Sequence, residues 1–462
     1  MDMYFPRSNT TMKRFVTGAF AVLFWALVAV GAARAADTKT ISLKNAIDAA
    51  LKANVDLRQA ATLTESREIS VRRSKADFLP DLKLSLGASQ SYGKQLDTLS
   101  NGFEWGRSSS MANLSVSSGL DLFSGFGRIA ALRQSQLQLD SERKSFTWSR
   151  EQVIYETVQQ FVLVVLDGEL TKADQQNLEA QNKQLAQIQA FTTAGRSPIV
   201  DLYQQQAAVA DAESRLLVDQ RNSVVDTYKL LQIMGVQPET GYTIVSPDVD
   251  EMTNGLVGLV GEDAVKKAFA GRTDLEAQRL QVEAARKQIT VSRAGYWPSL
   301  SISAAAGTGY QSTGSYDFGD QFYTNNLNAS VGVSLSVPIF DRLTTKSSVD
   351  QAKVQLRQAE IGVAKLELQV EVDVRQALED YATASKAVEV AQAQSTYSEQ
   401  ALKSMEERYR VSASTLVDLT LARATSLQST YNLINARYSR LLKGVAVLYY
   451  AGRIDDVLPL FY

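Results

Sequence analysis

Apolar and polar residues alternate strictly over residues 329–340, where Val331, Val333, Leu335, Val337 and Ile339 interleave with Gly332, Ser334, Ser336 and Pro338. A period of two with one apolar face and one small, polar face predicts a β-strand. From residue 345 the spacing turns helical and stays so to residue 408, with no proline and only Gly362 inside. At about 1.5 Å per residue such a helix runs roughly 100 Å, far beyond the ordinary globular range.

The same order occurs earlier in the chain. Leu82, Leu84 and Leu86 lie opposite Lys83, Ser85 and Gly87, and Leu114 and Val116 lie opposite Ser115 and Ser117. These patterns predict strands at 81–92 and 112–123, followed by a long helix at 128–191. Leu300, Ile302 and Ala304 alternate with Ser299, Ser301 and Ser303, which predicts the remaining strands at 299–310 and 329–340. Single helical runs are expected at 42–78 and 262–296, and again after each long helix at 200–234 and 416–450. Phe78-Leu79-Pro80 answers Tyr296-Trp297-Pro298, and Val200-Asp201-Leu202 answers Val417-Asp418-Leu419. A whole unit of helix, strand, strand, long helix and helix is therefore expected twice, over 36–235 and 262–451. Residues 236–261 and 452–462 fall outside it and read as collar segments at the middle of the helical section.

The expected fold class is mostly α with a four-strand β contribution. Strands greasy on one side suit a membrane β-barrel, although a soluble antiparallel sheet with one buried face alternates in the same way. Four strands cannot close a barrel alone. Two chains give eight strands, an interior filled by side chains, and three give twelve, enough for a water-filled lumen. One helix before the strands, stacked end to end on one helix after the turn, matches the length of a long helix. Each chain then supplies four equal columns.

Composition narrows the chemistry. Lys13 and Arg14 precede an apolar run from Phe15 to Gly31, and Ala33-Arg34-Ala35 supplies a small-residue exit, so residues 1–35 read as a signal peptide. An uncleaved anchor is the alternative, because the run nearly spans a bilayer. No later segment has the apolarity of a transmembrane helix, so strands must make any crossing. The chain has 48 basic and 50 acidic residues. Removing the leader takes away four of the former and one of the latter, which leaves an acidic chain unsuited to nucleic acid. With no cysteine and no histidine, there are no disulfides, no lipoprotein anchor and none of the usual zinc or copper sites. No catalytic carboxylate pair stands in a recognisable context. No enzyme activity, cofactor or metal is expected. Gly125 and Gly127 lack a nucleotide fingerprint and read as a turn.

With its leader, tandem units and proline-ended helices, the chain resembles the TolC-like outer-membrane efflux family over about residues 41–453. The resemblance implies a trimeric twelve-strand barrel in the bacterial outer membrane, joined to a periplasmic α-helical barrel. It also implies a passive exit duct for drugs or secreted proteins, including type I secretion, whose partners are a periplasmic adaptor, an inner-membrane pump and outer-membrane lipid. A non-channel periplasmic coiled-coil spacer or surface scaffold is the rival reading.

Candidate gate residues are Asp201, Tyr409 and Asp418. Both aspartates lie in the first turn of a returning helix, where the dipole favours a carboxylate, so simple helix-start preference explains them equally. In a trimer six such carboxylates would meet at the tunnel mouth and attract cations. The family's second-half arginine and second aspartate match Ser414 and Leu421 here, which implies a less strongly latched, less cation-selective entrance. The turns themselves, Ala194, Gly195, Arg196 and Ser197 with Val411, Ser412, Ala413 and Ser414, are candidate adaptor-docking tips. The strand connections, about 93–110 and 311–327, read as extracellular loops carrying Phe103, Trp105, Tyr316, Phe318, Phe322 and Tyr323. Phe78, Tyr296 and Trp297 suit the opposite membrane interface, or ordinary packing at a helix–strand junction.

Overall fold

The computed structural model describes residues 39–97, 102–238, 242–246, 248–257, 263–314 and 316–461. The expected signal peptide lies outside them. In chain order the elements are β1 Lys39–Ile41, α1 Leu43–Ala53, α2 Val55–Ala76, β2 Lys83–Asp97, β3 Gly102–Ser124, α3 Gly127–Thr193 and α4 Ile199–Ile233. There follow β4 Tyr242–Ile244, α5 Val249–Val257, α6 Ala264–Gly271, α7 Thr273–Arg293, β5 Ser299–Gln311, β6 Asn328–Ser336, α8 Thr344–Arg410 and α9 Leu416–Tyr450. A 3-10 segment, Ile454–Phe461, follows α9.

The long helices α3 and α8 have 67 residues each, and α4 and α9 have 35 each. Helix α3 packs on α2 and α4 along one side and on α7 and α9 along the other, and α8 packs on α7 and α9. The helices therefore stand as four columns: α4 with α2, then α3, then α9 with α7, then α8. Among the described residues no helix is long and apolar enough to cross a membrane.

The runs expected as single helices at 42–78 and 262–296 are broken, at Asn54 and at Arg272. Asn54 leaves the helical region with ψ 133°. Its Oδ1 accepts from Leu57 N at 3.0 Å to start α2, and its Nδ2 donates to Ile233 O at 2.9 Å, at the end of α4. One buried amide thus fastens the two halves of the first column. Gly235 sits in the left-handed region, φ 67°, where a Cβ would meet Ala53 O at 2.2 Å. At the second column Gly452, φ 68°, lies against Gly271 and Arg272 in the same way. The Arg272 guanidinium is held by Asp274 at 2.6 Å, lies 3.6 Å from Asp373 and stacks 4.6 Å over Trp148.

Among the described residues the largest apolar core gathers at this level. Ile154, Val158, Phe161 and Val165 of α3 pack with Leu230 and Leu231 of α4, Leu441, Val445 and Leu448 of α9, and Leu256 of α5. The parallel pair β1–β4 and the 3-10 segment join them through Ile41, Ile454 and Val457. The arms beyond the core are joined by sparse, small contacts such as Ala384 and Ala391.

At one end stands a four-stranded antiparallel sheet in the order β2-β3-β5-β6. Its register aligns one face: Leu84 with Val116, Leu86 with Leu114, Leu120 with Ile302, Ile302 with Val333, and Leu300 with Leu335. The other face aligns Ser85 with Ser115, Ser117 with Ala305, and Ser301 with Ser334.

The strands depart from their expected ends in three places. The first two, expected at 81–92 and 112–123, run on to Asp97 and from Gly102, past a bulge between Gly93 and Gln95. This part of the ribbon projects beyond Met111, where β5 stops pairing, so both its faces are free of the sheet and no alternation marks it. The last strand, expected at 329–340, ends at Ser336, because its partner β5 begins at Ser299 and Pro338 has no N–H to donate. The connection at 311–327, expected as an extracellular loop, folds back along the sheet. Gln321, buried, accepts from Gln311 N at 3.0 Å and donates to Gln311 O at 3.1 Å, and Asn326 Nδ2 donates to Gly309 O at 2.6 Å. These amides occupy the edge of β5 above the start of β6.

Asn54→Ala removes both bonds at the column joint and is expected to cost about 1–2 kcal/mol. Hydrogen exchange should show lost protection at residues 50–57 and 230–236 and unchanged protection at the sheet. Equal protection at the joint would show that packing alone holds the column.

Candidate functional site

The end of the columns opposite the sheet carries the two helical hairpin tips. Helix α3 closes with a left-handed residue, Gly195 at φ 68°, and Arg196 N returns to Phe191 O at 2.8 Å. Helix α8 closes identically with Ser412 at φ 58° and Ala413 N to Arg408 O at 2.8 Å. Such a Schellman end costs a serine about 1–2 kcal/mol that glycine avoids. Ala194, Gly195, Arg196, Val411, Ser412 and Ala413 are exposed, whereas Ser197 and Ser414 are half-buried. The Ser414 Oγ has no partner.

The sequence-expected gate residues divide into two kinds. Asp418 belongs to its own turn: its Oδ2 accepts from Thr415 N at 3.0 Å and Thr415 Oγ1 at 2.7 Å, and Thr415 Oγ1 accepts from Asp418 N. This capping box holds the Asp418 carboxyl below its usual range. Asp201 has no such box, because Pro198 stands at the cap, and it accepts instead from Ser197 Oγ at 2.7 Å. Its charge reaches Tyr409 on the other hairpin, whose phenol is raised by burial and then by Asp201. Asp201 thus lies close enough for its charge to act on Tyr409 across the two hairpins, with no hydrogen bond between them among the described residues, while Asp418 stays exposed and bonded to its own cap.

At the sheet end, Phe78, Tyr296 and Trp297 are all exposed at the strand–helix junctions. Arg128 of α3 lies 5.1 Å over the Phe78 ring and donates to Asp77 O at 2.9 Å. Trp297 meets Phe126 edge-on at 6.0 Å, and Gly125 is a turn residue lying under Ala294 and Trp297 with no room for a Cβ. Among the described residues no three potential metal ligands cluster.

Sequence reasoning missed two acid pairs in the seam of the first hairpin. Asp167 and Asp174 of α3 face Asp226 and Asp219 of α4. Asp174 is 1% exposed, and neither of its carboxylate oxygens has a donor. Burial, and after it the facing Asp219, pushes Asp174 up to about 6; burial and Asp226 push Asp167 up to about 7. Two like charges so close share a proton rather than both ionise. The signal was available: each pair is equidistant from the turn at 196–197, and the pairs are one heptad apart on each arm.

Raised carboxyl pKa values mean that the folded seam binds more protons than the unfolded chain between about pH 4 and pH 7. Its contribution to stability is complete below that window and is lost as pH rises through about 6–7. Asp174→Asn is therefore expected to strengthen the α3–α4 seam by roughly 1–2 kcal/mol at pH 8 and to leave it unchanged at pH 4. Hydrogen exchange of residues 165–176 at both pH values measures it; equal gains at both would remove the acid pair as the cause.

Comparison with known proteins follows from this geometry. The profile of the family described as "Outer membrane efflux protein" matches residues 46–236 and again 264–453. The solvent efflux pump outer membrane protein SrpC of Pseudomonas putida is 26% identical over 340 residues, which cover 73% of this chain and 69% of that protein. Outer membrane protein TolC of Escherichia coli is 22% identical over 417 residues, covering 87% of this chain and 80% of that one. Among solved structures, CusC superposes with a TM-score of 0.76 at 16% identity, covering 89% and 92% of the two chains. The Campylobacter jejuni CmeC outer membrane channel gives 0.74 at 17% identity, covering 98% and 94%. The chain belongs to the outer membrane efflux protein family and is a protein of the bacterial outer membrane.

Proposed function

We propose that three copies of this chain form one continuous duct, a twelve-strand barrel in the outer membrane extended by twelve helical columns into the periplasm. The observation that carries this reading is the bare apolar face of the sheet. Leu84, Leu86, Val331, Val333 and Leu335 are 65–77% exposed in the single chain, and β2 and β6 each keep one unpaired edge. A lipid-facing surface satisfies the first condition, and pairing of β6 with β2 of a neighbouring copy satisfies the second. The serine- and glycine-rich face then lines water. A duct of this kind performs no chemistry, in keeping with a family of channels rather than enzymes.

The two halves, so alike in the lengths of their helices, are read as a tandem duplication, with residues 236–261 and 452–462 as the equatorial collar. Residues 1–35 are the export signal. The tips at 194–197 and 411–414 are the surface offered to a periplasmic adaptor, and an inner-membrane pump supplies the cargo. Relatives named for solvent, toluene and antibiotic efflux favour small organic molecules as cargo over secreted protein.

At the periplasmic mouth, the Asp201 charge acts on Tyr409 of the other hairpin, and Asp418 adds a ring of charge. In the second-half turn Ser414 and Leu421 stand where the family carries an arginine and a second aspartate, so the entrance is less strongly latched and less cation-selective.

Reconstitution in a planar bilayer tests the duct directly: discrete conductance from a trimer is expected, and a non-conducting monomer would refute it. Asp418→Asn keeps an acceptor for Thr415 but removes the charge, and is expected to lower cation preference. Asp201→Asn with Tyr409→Phe is expected to lengthen open times, which Asp418→Asn leaves unchanged. Unchanged gating in the double variant would place the latch elsewhere.

A further inference from the structure

Just beyond the sheet, the wall carries a basic groove that the duct reading leaves without a role. Phe123 is in register with Leu300, which places it on the apolar face. Phe126 packs edge-on against Phe123 at 5.2 Å. Phe126 and Ile129 are 54% and 56% exposed. The three- and four-residue spacing of a helix carries that same side of α3 down to Arg133, Gln136 and Asp140. The apolar face of the sheet therefore continues, without crossing to the lumen side, into a groove of about 600 Å³ between α2, α3 and α7.

Lys75, Arg133, Arg143 and Lys287 line this groove, with Asp140 and Glu283. Arg143 is already neutralised by Glu68 at 3.0 Å and lies 3.7 Å from Asp140, and Glu283 is taken by Arg286 at 2.9 Å. Lys75, Arg133 and Lys287 remain. Arg133 donates to the Gln136 amide at 3.1 Å, and none of the three has a carboxylate partner among the described residues. Three exposed cations brought from three helices to one concavity repel one another until an anion joins them.

The groove lies about two turns below the end of β3, a rise of roughly 10 Å, which long side chains span to reach a headgroup layer. We propose that it binds the phosphate headgroup of an anionic phospholipid, whose acyl chains lie along Ile129, Phe126 and the apolar face of the sheet. Three cations without an ion-pair partner among the described residues outnumber Asp140 and Glu283, which share Arg143 with Glu68 and Arg286 with Glu360, so the groove stays net positive and favours a headgroup of net negative charge over one that carries its own ammonium. The proposal rests on the outer-membrane duct reading for the orientation of the sheet.

Native mass spectrometry of the assembled protein, exchanged between phosphatidylglycerol and phosphatidylcholine, tests it. Phosphatidylglycerol is expected to be retained selectively. Each of Lys75→Gln, Arg133→Gln and Lys287→Gln should weaken retention about fivefold at low salt, whereas Lys386→Gln, on a distant face of α8, should not. Arg133→Lys should keep most of the binding, which separates charge from misfolding. Equal retention of the two lipids, or full retention in the triple variant, overturns the proposal. So does competition by 10 mM inorganic phosphate, which would mark a free-anion site. Conductance recorded on the same samples keeps the two readings apart. A protein that conducts without lipid preference sinks only this inference, and one that never conducts sinks the duct.

Discussion

An antiparallel sheet with a bare apolar face and two open edges is unstable by itself in water. Each exposed leucine or valine on it forgoes roughly 1.5–3 kcal/mol of burial, and each open edge leaves backbone donors and acceptors to solvent or to another strand. Among the described residues nothing relieves either condition: the helices stand end-on to the sheet, and the folded-back connection covers the tip of β5. The proposed duct answers both conditions, with lipid on one face and further strands at both edges. The strand–helix turns at Gly125 and Leu343 redirect the chain so that every strand continues as a column.

Column length imposes a second constraint. A helix of 67 residues can be matched only by two shorter helices laid end to end, and each joint leaves helix-terminal groups inside the wall. The chain meets this differently in its two halves. A neutral amide, Asn54, caps one helix while holding the end of another. A buried guanidinium, Arg272, clamped by Asp274 and stacked on Trp148, occupies the other joint. The main apolar core surrounds these joints, so the wall is rigid at its middle and thinly packed along the arms. Low contact density is where local opening is cheapest, which suits the tips to movement while the joints hold.

Electrostatics grade the wall along its length. Free cations collect beside the sheet. Acid pairs sit in the α3–α4 seam toward the tips, where burial keeps them partly protonated. Asp201 and Asp418 follow at the far end. They differ because one helix starts at Pro198 and the other at Thr415, which can close a capping box.

Much of this was legible in the residues alone. Alternation around Val331 and Leu84 and the uninterrupted run from 345 to 408 specify strand and long helix, because their side-chain periods of two and 3.6 cannot be confused over such lengths. Prolines at 80 and 298 mark where helix yields to strand. The breaks at Asn54 and Arg272 were not legible, since neither residue interrupts the helical period and each bends the chain only because a second helix end arrives there. Nor were the strand ends: Ser336 is terminal because its partner begins at Ser299, and the ribbon at 93–97 and 102–110 pairs although nothing beneath it demands alternation. The association of Asp201 with Tyr409, the facing aspartates and the basic groove join residues tens to hundreds of positions apart. Local pattern determines what each segment is, and only the packing of columns against one another decides which charges meet.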